Sequence, residues 1–345
     1  MITIQNADKA LKDYYLEAVA SQLNDNISPF YAAIEKSSAN VYGKNAKIAV
    51  VRSNAGSVLA GSEDGDLPAP YTNRYLEISV PLKNLYGTIE ISDKALRASR
   101  DSSGAFVNLV NAEMDGLIDS AKYNFRRMLL GDGTGKICKV LSKIDGKTYK
   151  VDKVTDDLLG LYVDAIPSVG SALKDSFGLT IVKIDKKQGT VTFNKDVLDP
   201  INTGYICLAG SSNNELSGLG AIFGGTELYG YKKADEPYMS PYIYDASNAL
   251  SEDGIVEVID KMEEERGSRI NMIICSYLTR RRIAALIADN KRVVNTIDAR
   301  TGVGVVTVND VPVYADKFCP DDKIYFLNTD DFCLCQLCDW EWLED

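Results

Sequence analysis

Apolar residues recur at helical spacing near the start of the chain. Leu11, Tyr14, Tyr15, Ala18, Val19 and Leu23 predict a helix within residues 6–35. Asn24 to Pro29 interrupts it, and Phe30 to Ile34 resumes it. Such a helix either packs on its own domain or serves as an arm docked on neighbouring chains. The period then changes from helical to alternating. Leu76, Ile78, Val80 and Leu82 alternate with polar positions, which predicts a return strand from about Arg74 to Ile91 opposite an outgoing strand from about Ala46 to Arg52. Between them Ser53 to Thr72 carries Gly56, Gly61, Gly65, Pro68 and Pro70, a loop by its punctuation. A loop of this length is uncommon inside a compact domain and is usually functional or disordered.

The clearest helix follows. Phe106, Leu109, Val110, Met114, Leu117, Ile118, Ala121, Phe125, Met128 and Leu129 form one continuous apolar stripe, with Asp101 or Ser102 as N-cap and Gly131 as the stop. Residues 137–210 are β-rich, and Leu179 to Ile184 and Thr190 to Phe193 flank a Lys186-to-Gly189 turn as a hairpin does. The last third is α/β. Ile255, Val256, Val258, Ile259 and Met262 mark a helix ending near Gly267, and Ile270 to Cys275 is a short apolar run typical of a strand buried on both faces. Ser276 or Thr279 caps a second helix carrying Ile283, Leu286 and Ile287. Val303 to Val308 and Val311 to Tyr314 make a hairpin about Asn309-Asp310, a type I′ turn by sequence, and Ile324 to Leu327 and Phe332 to Leu337 add strands.

Composition narrows the functional classes. With 345 residues the chain can bury one large core or two to three modest ones. No stretch approaches the roughly 20 apolar residues of a membrane helix, and the N-terminal segment has the polar spacing of a helix and not the pattern of a signal peptide. Folding in the cytoplasm of the producing cell is therefore expected. Net charge is −11, the wrong sign for an extended nucleic-acid binder, whose affinity comes from lysine and arginine on phosphates. Seven Cys, an odd number, point to reduced thiols, and the absence of His removes Ser-His-Asp, Cys-His and His-ligand metal chemistry together.

The remaining motifs have plain structural explanations. Leu130-Gly131-Asp132-Gly133-Thr134-Gly135-Lys136-Ile137 misses the phosphate loop at its first glycine and at its final Ser/Thr, and it follows a helix, so a helix-ending turn is expected. Cys319, Cys333, Cys335 and Cys338 have the count of a zinc site, but Cys333 and Cys335 alternate with Phe332 and Leu334 as on a strand, and buried thiols are expected. No carboxylate pair stands apart from the many acids, and Glu263-Glu264-Glu265 reads as a solvated helix end. Charge is uneven near the C-terminus: residues 266–300 carry +6 and residues 301–345 carry −8. Opposite charges on one domain can register copies of it around a ring; the plainer alternative is a set of exposed pairs worth little.

Several runs together carry a resemblance. Lys83 to Ala95 resembles the return of an extended loop into a spine helix. Leu129 to Lys136 resembles the glycine-rich exit from that helix. Ile274-Cys275-Ser276 leading to Arg280-Arg281-Arg282 resembles an axial strand-then-helix, and Val311-Pro312-Val313-Tyr314 the strand after it. In this order, over nearly the whole chain, the segments resemble the HK97-like major capsid proteins of tailed bacteriophages.

The resemblance implies an α+β fold with an N-terminal arm (1–40), an extended β-hairpin loop (41–91) and a peripheral domain (92–136) with a spine helix (101–130). A β-rich insertion (137–212), longer than the family's minimal pattern, follows, and then an α/β axial domain with returning peripheral strands (213–345). It implies self-assembly of pentamers and hexamers into an icosahedral shell around double-stranded DNA, in the virion, after assembly in a bacterial cytoplasm. Expected partners are further copies, a portal protein, a decoration protein as an optional addition, and a scaffold that is either a separate protein, which Met1 favours, or a propeptide removed before this numbering begins. The DNA is enclosed without sequence-specific binding. No membrane, catalytic residue, cofactor or metal is expected. Expected contact residues are Glu63, Asp64 and Asp66 at the loop tip, and Arg280, Arg281 and Arg282 on the axial helix. Some shells of this fold are locked by a loop lysine, but Asn54 to Pro70 holds none and Lys44, Lys47 and Lys83 lie near the hairpin base, so a non-covalent shell is expected. An encapsulin-type cargo compartment shares the fold and is the alternative; a carboxylate-dependent hydrolase is the alternative from another class.

Overall fold

The computed structural model describes residues 28–53, 60, 63, 72–89, 103–167, 176–197, 204–247, 249–289, 296–297 and 304–342. The chain divides into two compact units, one of Met1–Leu82, Tyr86–Tyr123 and Thr226–Asp345, the other of Lys83–Leu85 and Asn124–Gly225.

The first unit opens with a short helix, α1 (Pro29–Ala33). Ser28 caps it, its hydroxyl accepting the Tyr31 N–H, and Pro29 occupies the first turn where its missing N–H costs nothing. The helical pattern was expected to run to residue 35, and it stops earlier. Ile34 is extended, and β1 (Glu35–Ser37) pairs in parallel with Cys333–Cys335 near the other end of the chain, so a long-range ladder overrides local periodicity. Phe30 meets Phe332 edge-on at 5.5 Å on the same junction. The part of the predicted helix before residue 28 lies outside the described residues.

Next come β2 (Val41–Tyr42), β3 (Asn45–Ser53) and β4 (Arg74–Pro81), an antiparallel sheet in that order. Ala46 faces Val80, Ile48 faces Ile78 and Val50 faces Leu76, as alternation predicts. The return strand ends at Pro81, short of the expected Ile91. Proline cannot donate to a ladder, and the next N–H, of Leu82, goes to the Lys44 carbonyl to close the base of the hairpin. The loop beyond residue 53 lies largely outside the described residues.

Helix α2 (Ser103–Leu130) has 28 residues, about 42 Å at 1.5 Å per residue. Met114, Ile118, Phe125, Met128 and Leu129 of the predicted stripe are buried. The side chains of Phe106, Leu109 and Val110 lie outside the described set, as do both candidate N-caps.

The second unit contains a closed antiparallel barrel of β5 (Lys136–Lys143), β6 (Thr148–Val151), β7 (Tyr162–Ile166), β8 (Leu179–Asp185), β9 (Thr190–Phe193) and β10 (Gly204–Leu208), ordered β10-β5-β6-β9-β8-β7 around the wall. Its interior is filled by Val140, Tyr149, Val151, Val163, Leu179, Ile181, Val191, Phe193 and Ile206 among others, so it is a packed core and not a channel. The predicted β8–β9 hairpin turns where expected. The Asp185 carboxylate accepts the Lys187 and Gln188 N–H groups, and Gly189 takes the left-handed conformation at φ +69°.

The chain leaves the barrel through residues 209–218 into α3 (Leu219–Phe223), which packs at the C-terminal end of α2. Two glycines make this approach possible. A Cβ on Gly218 would lie 2.3 Å from both the Met128 and Leu129 carbonyl oxygens, and one on Gly220 would lie 2.8 Å from the Gly131 carbonyl carbon.

The remainder of the first unit begins with the small ribbon β11 (Glu227–Leu228) and β12 (Tyr231–Lys232). Helix α4 (Glu252–Arg266) follows, capped by the Ser251 hydroxyl on the Gly254 N–H and ended by Gly267 at φ +63°. Strand β13 (Met272–Cys275) is buried at all four positions and leads into α5 (Tyr277–Asp289). Strands β14 (Thr296–Ile297), β15 (Gly304–Val308), β16 (Val311–Ala315) and β17 (Ile324–Leu327) complete a mixed sheet ordered β14-β15-β16-β13-β17. Asn309 and Asp310 have φ of 49° and 66°, the two left-handed residues a type I′ turn requires. Ile255, Ile259, Ile273, Ile283, Ile287 and Val313 tie both helices to the sheet. Strand β18 (Cys333–Cys335) is the partner of β1.

Candidate assembly surfaces

The β3–β4 hairpin is held at two points. Tyr231 donates its hydroxyl to the Glu77 carbonyl at 2.9 Å, and the Arg52 guanidinium meets the Glu236 carboxylate at 2.9 Å. Lys47 and Glu77 pair at 2.9 Å on its outer face, an exposed contact of little energetic weight. Neither face is fully covered by the described residues. Ile48, Val50, Leu76, Ile78 and Val80 are only half-buried, although alternation marks them as the inward set. Tyr42, Val51, Tyr75 and Tyr86 are 47–75% exposed. An apolar stripe left half-wet along two paired strands is what a surface awaiting a partner has. Of the loop-tip acids, Glu63 is exposed, while Asp64 and Asp66 lie outside the described residues.

The arginine triad stands on α5. The Ser276 hydroxyl accepts the Thr279 N–H, so Ser276 is the N-cap of the two sequence candidates. Ile283 anchors the inner face, which turns Arg281 and Arg282 outward to solvent. Arg280 is half-buried, with its guanidinium over the exposed Tyr277 ring at 5.4 Å. Neither Arg281 nor Arg282 pairs with a carboxylate among the described residues. The Thr279 hydroxyl donates to the Asp321 carbonyl at 2.9 Å, which places the exposed Asp321-Asp322 turn beside the start of the same helix.

The cysteines divide in two. Cys138, Cys207, Cys275 and Cys319 are buried, and burial pushes their thiols up, those of Cys207, Cys275 and Cys319 to about 12. The expectation of buried thiols fails at the C-terminal group: Cys333, on β18, and Cys338, beyond its end, are exposed, and among the described residues β18 pairs with β1 alone. Partial burial, then the neighbouring Cys335, raises the Cys333 thiol. Among the described residues no cluster of three or more metal-ligating side chains is formed. The glycine-rich run after α2 is a turn, with Gly133 and Gly135 both at φ +80° and the Asp132 carboxylate accepting the Thr134 N–H at 3.0 Å.

One buried polar pair had no signal in the sequence. Arg127, near the end of α2, makes two hydrogen bonds to the Glu215 carboxylate, Nη1 to Oε2 at 2.8 Å and Nη2 to Oε1, and both side chains are almost fully buried. The partners are 88 residues apart. An arginine in an otherwise apolar helical stripe, followed at a distance by a glutamate in a polar loop, is indistinguishable by pattern from surface charge.

No family model and no curated protein matches this chain. Among solved structures it is similar to a chain of the Cyanophage A-1(L) capsid asymmetric unit, at 13% sequence identity and a TM-score of 0.47, over 91% of this chain and 70% of that one.

Proposed function

We propose that this chain is the major capsid protein of a tailed bacteriophage, a subunit that assembles into an icosahedral shell around double-stranded DNA. The observation that carries it is the β3–β4 hairpin, whose apolar stripe is half-buried on one face and whose other face displays Val51 and Tyr75. A chain that worked alone would gain by covering or shedding those groups. The ordered set of an arm, a long hairpin, a spine helix, a β-rich insertion and an α/β domain resembles the HK97-like subunit and supports the same conclusion. Each contact in such a lattice is modest, and multivalency makes the sum strong. The scaffolding, portal and decoration proteins of such shells are the partners this function calls for. Glu63, Asp64 and Asp66 would bear on a neighbour from the loop tip.

Purified protein, alone and with a co-expressed scaffold, is expected to sediment as rings, shells or tubes visible by electron microscopy. On denaturing electrophoresis the particles should run as one band near 37.8 kDa, because the loop tip offers no lysine for a covalent lock. A strict monomer at high concentration, even with scaffold, would overturn the assignment. A cargo enzyme enclosed in the particles would transfer it to an encapsulin-type compartment.

Arg280, Arg281 and Arg282 serve as registration charges between copies of the α/β domain. Reversing all three to Glu is expected to abolish capsomers while shifting the thermal midpoint little, since Arg281 and Arg282 are exposed. Normal assembly of the triple variant, followed by sedimentation velocity, would show that these side chains are merely solvated.

A further inference from the structure

The barrel has an electrostatic character of its own. Residues 136–208 hold 11 Lys and 9 Asp, with no Arg and no Glu, for a net +2, whereas the remainder of the chain carries −13. Apart from buried Asp164 and Asp185 at the end of β8, its strands carry no carboxylate.

One side of the barrel adds apolar surface to this charge. Tyr162 is the register partner of Thr180, and the Gly160 N–H reaches the Ile181 carbonyl at 2.8 Å, so Leu159 and Tyr162 lie beside Val182 on the outer wall. A β-bulge between Ile181 and Lys183 accompanies the outward turn of Val182. The Tyr162 hydroxyl lies over Gly178, 2.4 Å from where a Cβ would stand, next to Phe177. Lys195 donates to the Phe177 carbonyl at 3.0 Å and Lys183 follows Val182, placing two ammonium groups at the margin. Leu159, Tyr162, Phe177 and Val182 are 40–59% exposed. Aliphatic carbon gains nothing against phosphate, so this mixture does not suit nucleic acid. An apolar centre with a charged rim is the anatomy of a protein interface, with tyrosine as its anchor.

The same chain carries a segment of matching chemistry and opposite sign. Asp330, Asp339 and Glu341 are exposed near the C-terminus, and among them Leu337 is 62% exposed and Trp342 36%. We propose that the Leu159–Tyr162–Phe177–Val182 face of the barrel, with Lys183 and Lys195, docks on the Asp330–Trp342 segment of a second copy. This contact rests on the shell function proposed above and would give the β-rich insertion its role there.

The test uses the full-length chain. Isotope-labelled and unlabelled protein are mixed, assembled, treated with a carbodiimide and digested for mass spectrometry. Mixed-isotope links from Lys183 or Lys195 to Asp330, Asp339 or Glu341 are expected. Lys183→Glu with Lys195→Glu should raise the concentration needed for assembly about 30-fold, from the loss of two charged contacts at an interface rim and their replacement by repulsion. Adding Asp330→Lys and Glu341→Lys to that variant should restore much of the loss, and both variants should keep the wild-type thermal midpoint. Wild-type particles whose barrel lysines link only within one copy, together with variants that assemble normally, would overturn this contact and leave the shell function standing. A wild-type chain that stays monomeric would overturn both. If a duplex DNA fragment shields Lys183 and Lys195 from acetylation and assembly does not, the face belongs to a polyanion and the proposal is likewise overturned.

Discussion

Glu215→Gln will destabilise the barrel-containing unit by about 3–5 kcal/mol, the cost of leaving a buried arginine charge without its partner. Arg127 and Glu215 are 7% and 3% exposed, so water cannot replace the lost carboxylate. The pair is a two-bond fork, and Nε of Arg127 already has no partner among the described residues, so little spare hydrogen bonding remains to absorb the change. Arg127→Met alone should cost a similar amount by stranding the carboxylate. Removing both charges together, as Arg127→Met with Glu215→Leu, should recover most of the loss or exceed the wild type, because a buried ion pair spends much of its attraction on desolvation. Urea unfolding of the three variants measures this. Additive losses in the double variant would mean that the two residues do not act as a pair.

Alkaline pH is expected to unfold the protein through its buried thiols. The folded chain holds Cys207, Cys275 and Cys319 protonated up to about 12, and Cys138 higher, whereas the unfolded chain ionises each near the ordinary 9.0. Between these limits the unfolded state binds fewer protons than the folded state, so stability falls as pH rises. The contribution is complete below pH 9 and erodes steadily above it. At pH 10 each thiol costs about 1.4 kcal/mol, or about 6 kcal/mol for the four, comparable to the whole stability of a marginal domain. Cys275 and Cys207 are 0% exposed and Cys319 2%, which is why solvent screening does not relieve the effect. Urea midpoints at pH 7.5 and pH 10 give the slope, and Cys319→Ala should flatten it by about one thiol's share while lowering stability at neutral pH through the cavity it leaves. An unchanged slope in that variant would assign the alkaline loss to other groups.

What could be read from the sequence was local. Gly267 at a helix end, Asn309-Asp310 in a type I′ turn and the Lys186-to-Gly189 turn each follow from the conformational preference of one or two residues, and the structure places them as expected, while of the two N-cap candidates Ser276 and Thr279 it selects Ser276. The outward aspect of Arg281 and Arg282 was equally legible, because Ile283 beside them marks the inner face of the helix. What could not be read depends on residues that meet across long separations. Barrel closure requires Tyr205 to pair with Ile166 on one side and Lys139 on the other, and no local period encodes that choice. Glu35 pairs with Cys333, and Arg127 with Glu215, across separations that no local pattern spans. The exposed apolar set on the barrel, Leu159, Tyr162 and Val182, was hidden for a related reason: in a strand-rich segment such residues look like core until closure decides which side of the wall they take.

Closure of that wall also bears on aggregation. Every barrel strand has a neighbour on both sides, so among the described residues the barrel presents no row of open N–H and C=O groups along its length. The α/β sheet, by contrast, ends at β14 and β17, each with a single strand partner among the described residues. An open sheet edge is a template on which a second chain can add a strand and begin a fibre. In this chain the barrel escapes that hazard by geometry, and the guard against edge-to-edge growth must be kept at the two short outer strands of the C-terminal sheet.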